Sequence, residues 1–171
     1  MKMTPTPTVT RFEQLNPGDL FFVEIQERSC VALKAVDDER DGDTLMVVLG
    51  PYSSFNEEVI PGILLSWKAA TVVSFSNEFT VSLPTEPEDW TTTAPADGVL
   101  PLVISDGDIY VRAVSDVYGR RLKCFVKISN GRVIYQPRTS ISAYALKWGL
   151  AIVDERGELH PILRMEGPGA K

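Results

Sequence analysis

The chain has little of what most catalytic chemistry needs. Its 171 residues include one histidine and two cysteines. A single histidine, His160 in the stretch ELHPIL, cannot build a His-rich metal site. As a general base it would need an orienting partner. Beside Pro161, near the end of the last expected strand, it reads more simply as a surface or edge residue. Cys30 and Cys124 are remote from each other, so no C-x-x-C zinc spacing exists. Both sit among apolar neighbours, SCVAL and KCFVKI, as reduced, buried cysteines do. No serine or cysteine stands in a G-x-S-x-G context. Neither of the common Gly-rich phosphate loops occurs. No catalytic residue, metal or cofactor is therefore nominated.

Long apolar runs are also missing. None approaches the roughly 20 residues that a membrane helix needs. The first ten residues, MKMTPTPTVT, carry no apolar core of a secretory signal. A cytoplasmic protein with no membrane partner is the expectation. Helices are absent from the pattern as well, because candidates such as 64–70 lack an N-cap and run straight into β-branched and aromatic residues.

The chain does have a charge asymmetry and an internal echo. Net charge is −6. Residues 1–95 hold 6 Lys and Arg against 15 Asp and Glu, whereas residues 96–171 hold 11 against 8. Drift between two copies of a repeat explains this most simply. Attraction between unlike halves, within or between chains, is the sharper reading. The echo is L-S-W-K-A-A-T-V from Leu65 against L-K-W-G-L-A-I-V from Leu146, with Leu, Trp, Ala and Val recurring 81 residues apart.

The elements between them repeat too. Strand-period segments are Leu20 to Ile25, Cys30 to Val36, Thr44 to Leu49, Ile63 to Trp67, Thr71 to Phe75 and Phe79 to Leu83. The second set is Val99 to Ile104, Ile109 to Val114, Leu122 to Ile128, a short piece at Val133 to Tyr135, Tyr144 to Trp148, Leu150 to Val153 and Leu159 to Leu163. Asn16-Pro17-Gly18-Asp19, Ser105 to Asp108 and Asn130-Gly131 are turn signals. The predicted fold is all-β: a tandem duplication of two small five-stranded barrels, SH3-like or OB-like, either separate or fused into one unit. The expected boundaries are a disordered tail at 1–11, a first repeat at 12–83, a Pro/Thr/acid-rich linker at 84–98, a second repeat at 99–165 and a tail at 166–171. Trp67 and Trp148 are expected to plug the cores of the two copies.

Three functional patterns are weighed. Asp37, Glu39, Asp41 and Gly42 partly echo a calcium loop, but Val48 stands where the bidentate Glu belongs and the flanks are strands, which favours a solvated hairpin tip. On strand 122–128, Lys123, Phe125 and Lys127 share one face and Arg121 extends the row, a strip that could track nucleic acid. An acidic chain disfavours that partner, and an ordinary solvated sheet face is the plainer reading. Tyr52 and Phe55 in the first long loop, Tyr135 in the second and Trp90 in the linker are aromatics of the type that anchors partners, or that covers a small core. The expected function is a non-enzymatic binding or assembly module, joined to a protein partner or to itself through loops or edge strands. A carboxylate-based enzyme, or nucleic-acid binding by the second repeat, is the alternative.

Overall fold

The computed structural model describes residues 7–25, 27–38, 45–51, 62–66, 71–76, 78–96, 99–117, 120–136, 140–154 and 156–167. Strand occupies 61% of the described residues, and two three-residue 3-10 turns are the only helical elements among them, so the all-β class holds. In the first half the strands are β1 (Thr8–Arg11), β2 (Leu20–Ile25), β3 (Arg28–Ala35), β4 (Leu45–Pro51), β5 (Ile63–Ser66), β6 (Thr71–Ser76) and β7 (Thr80–Ser82). After them come β8 (Trp90–Thr91), β9 (Leu102–Ser105), β10 (Asp108–Val117), β11 (Arg120–Lys127), β12 (Val133–Ile134), β13 (Ala143–Ala145), β14 (Trp148–Val153) and β15 (Leu159–Met165).

Alternation sorts the side chains of these strands, but not into a wet and a dry face. On β3, Val31, Leu33 and Ala35 enter a large central core, while Cys30 and Ala32 enter a second cluster on the opposite face. That second cluster is closed by Phe12, whose ring lies 5.4 Å from Phe21. Even Lys34 is buried: its Nζ donates to the Phe12 carbonyl at 3.2 Å and sits 3.8 Å above the Phe12 ring. Burial pushes this ammonium below the ordinary lysine value, with Glu13 and Asp19 pulling the other way. Cys30 and Cys124 are both buried and not disulfide-bonded. Burial pushes the Cys30 thiol up, against the pull of Arg28.

The central core draws on both halves. Leu33 and Val47 share it with Val111, Val126, Leu150 and Ile152. Trp148 lies within it, 4% exposed, and its Nε1 donates to the Leu100 carbonyl at 2.8 Å. Trp148 is thus a core plug. Trp67 lies outside the described residues.

The sheets join the halves. One edge of the ten-residue β10 is shared by two partners in succession: β9 antiparallel over Asp108 to Val111, then β5 parallel over Val114 and Ser115. β11 runs along its other edge. At the junction the Val114 N–H donates to the Gly62 carbonyl at 2.7 Å. A second stitch pairs Val36 with Arg132 in a parallel bridge. A third places β7 of the first half beside β14, in a three-stranded sheet ordered β15-β14-β7.

Several expectations are corrected here. The sheets are not closed into barrels. Thr8–Arg11, assigned to the loose tail, is a strand paired with β6. The linker supplies a strand: Trp90–Thr91 pairs with β13, and buried Arg112 donates to the carbonyls of Pro95 at 2.8 Å and Ala96 at 3.2 Å. The two tryptophan stretches also have different neighbours. β5 lies between β4 and β10, whereas β13, which leads into Trp148, lies between β9 and β8. The 81-residue spacing of the tryptophans is therefore not the spacing of the strand order.

Candidate binding cleft

Two turns and one short strand build the cleft. The β9–β10 hairpin turns at Asp106-Gly107, both in the left-handed region at φ 52° and 76°. Such a two-residue turn matches the twist of its strands, and aspartate tolerates the conformation through its short polar side chain. The second turn, Ser129 to Gly131, follows β11 and reverses the chain into β12. Gly131 has φ 66°, and a Cβ there would lie 2.1 Å from the Lys34 carbonyl oxygen and 2.6 Å from the Gly18 nitrogen. Only glycine lets these backbones approach so closely. This contact, with the Val36–Arg132 bridge, brings Asp37 and Asp38 of the first half against the second.

The resulting cleft has a volume of about 690 Å³. Its lining includes Asp37, Asp38, Asp106, Asp108, Tyr110, Lys127, Arg132 and Tyr135. Tyr135 Oη donates to Asp37 Oδ2 at 2.6 Å. Lys127 Nζ donates to Asp108 Oδ2 at 2.7 Å, and Tyr110 Oη reaches the same oxygen at 3.5 Å. Arg132 pairs with Asp38 at 2.5 Å. The bond to Asp108 holds the Lys127 ammonium above its usual value. Desolvation raises the Tyr110 phenol, and Asp108 and Asp106 add to the rise. Lys127 pulls the phenol the other way.

The sequence nominees divide. Lys127 and Tyr135 line the cleft. Phe125 does not stand between exposed lysines: it is buried with Val103 and Tyr144, packed by Tyr110, Ile134 and Ile141. Lys123 is exposed on the same strand, and Arg121 lies in β11 opposite Asp116. The basic strip with an exposed aromatic is therefore not assembled, because the face expected to be wet carries its own small core. Trp90 is half-buried against the central core, and its Nε1 donates to the Pro84 carbonyl at 3.1 Å, the covering role. Tyr52 and Phe55 lie outside the described residues. No protein family matches the chain, and no curated protein or solved structure is significantly similar to it.

Asp38, Asp106, Asp108 and Tyr110 were not nominated as cleft residues. Asp106 and Asp108 carry only turn chemistry as a sequence signal, Asp38 only its place in an acidic run far from them, and Tyr110 only its place among the basic residues of the second half. Asp37, weighed as a calcium-loop position, is instead buried and accepts from Tyr135.

A second polar group closes the β14–β15 turn. Asp154, Glu158 and His160 offer donor atoms within 4.8 Å of one another. The carboxylate of Asp154 is engaged by the turn itself: Oδ1 accepts from the N–H groups of Arg156 at 2.8 Å and Glu158 at 2.9 Å, and Oδ2 lies 3.0 Å from His160 Nε2. These bonds hold the Asp154 carboxyl below the usual carboxylate range, the His160 contact contributing most. This is a turn clasp.

Proposed function

We propose that the chain is a non-enzymatic binding module that engages a protein partner through the cleft between Asp37–Asp38 and the turns at 106–108 and 129–136. The observation that carries the reading is that both halves contribute walls to one concave site with two tyrosines in it. Tyrosine offers contact area at low cost in side-chain entropy. A carboxylate enzyme is the rival class. It is disfavoured because Asp38 and Asp108 are each bound to a cation and Asp37 to a phenol. Each of these carboxylates already has a partner to give up or share before it can take part in proton transfer.

A tandem duplication is the reading of the fold that accompanies this proposal. It is supported by the strand order. β1-β6-β2-β3-β4-β5 in the first half has the same sequence of neighbours as β8-β13-β9-β10-β11-β12 in the second. In each, four consecutive strands form a meander and the fifth returns beside the first. An SH3-like origin for each copy fits that order better than an OB-like one. The copies would then have fused at β5–β10 and now share one core.

Affinity capture from the source organism tests the function, comparing wild type with the charge-neutralised double variant Asp38→Asn/Asp106→Asn, in which asparagine keeps the left-handed turn at 106. A partner captured by the wild type and lost with the variant is the expected result. Equal capture by both moves the binding surface away from the cleft and overturns the reading.

A further inference from the structure

We infer that the ligand of this cleft is a basic protein segment, presenting lysine or arginine side chains to Asp106, Asp108 and the two tyrosines. The inference rests on the binding reading above and names its chemistry. Four carboxylates and two cations line the cleft, so its lining is net negative. Both cations already face a carboxylate at salt-bridge distance, Lys127 on Asp108 and Arg132 on Asp38. An anionic partner would have to break those pairs and still meet the remaining acids. A cationic side chain enters without that loss. Tyr110 and Tyr135 supply aromatic surface within the same walls, and an ammonium or guanidinium gains from aromatic faces as well as from carboxylates.

Position argues for a side chain on a macromolecule over a free metal ion. The carboxylates are spread along the walls, and the one group of three clustered metal donors among the described residues is at the β14–β15 turn, away from the cleft. An extended basic segment could reach several walls together, since Asp38 and Asp108 are 56% and 40% exposed.

The test titrates the full chain by calorimetry with a short peptide rich in lysine and arginine, and with glutamate-rich and neutral peptides of equal length. The basic peptide should bind and the others should not. Its affinity should fall by about tenfold in Asp106→Asn, as expected for losing one facing charge, and should fall again with added salt. Asparagine suits this variant because it keeps the left-handed turn that Asp106 occupies; an unchanged melting temperature confirms that the fold persists. Binding of the glutamate-rich peptide, or of a single-stranded oligonucleotide, overturns the inference. Failure of every peptide, while lysate capture still depends on Asp38 and Asp106, overturns the cationic class and leaves the binding reading standing. Failure of both removes the two together.

Discussion

Tyr135 Oη and Asp37 Oδ2 are 2.6 Å apart across 98 positions of sequence. One comes from each half, and Asp37 is buried. Their bond therefore ties the cleft to the packing of both halves. Tyr135→Phe keeps the ring and removes one hydrogen-bond donor from the buried Asp37 carboxylate. The expected cost is about 1–3 kcal/mol, read by urea denaturation. A loss too small to resolve would mean that water replaces the phenol and that the cleft is wetter than its burial implies.

Two glycines of similar backbone conformation should respond very differently to alanine. At Gly131 the added methyl meets the Lys34 carbonyl and Gly18, so Gly131→Ala should separate the two halves at this point and sharply lower the melting temperature. At Gly107, φ 76°, nothing lies within 4 Å of the same methyl. Gly107→Ala should cost only the conformational penalty of about 1–2 kcal/mol. Thermal melts of the pair check this; equal losses would show that strain, and not contact with the opposite half, sets the cost at Gly131.

Trp148 offers a graded series. Trp148→Ala should cost about 3–5 kcal/mol, since it opens a cavity in the shared core. Trp148→Phe retains most of the ring but leaves the Leu100 carbonyl without its donor, at about 1–3 kcal/mol. Chemical denaturation should rank them in that order. A tolerant Trp148→Ala would place the ring outside the core.

The Asp154 clasp makes a pH prediction. Its carboxyl titrates lower in the folded protein than in the unfolded chain. The linked stability is fully present above the unfolded value of about 3.9. It is lost as pH falls through the lower folded value, because protonation then releases His160 and the turn amides. Asp154→Asn should flatten the acid limb of the stability profile. An acid limb equally steep in the variant would assign it to other carboxylates.

Much of this architecture was legible from residue period. Alternation located every strand of the meanders to within a few residues, and the turn signals at 16–19, 105–108 and 130–131 were sound. Composition misled at the margins, where Thr8–Arg11 and Trp90–Thr91 sit in Pro- and Thr-rich stretches yet add edge strands. Phe125 shows a different limit. Period two says which residues share a face, but not whether that face is wet, and here Val103 and Tyr144 cover it. The cleft was illegible for a third reason. Lys127 and Tyr135 were nominated singly, but their carboxylate partners come from turns whose meeting depends on Gly131 and on parallel pairing between halves, neither of which leaves a local pattern.

The parallel pairing of β5 with β10 also imposes an order on synthesis. The first half leaves the ribosome with one edge of β5 bare and its share of the common core facing water. Both are completed only after β10 has emerged, and until then the nascent segment has an open strand edge and an apolar face to offer its neighbours. The acidic surplus of the chain falls on that same early segment, residues 1–95. Like charge on that early segment opposes contact between two such unfinished chains.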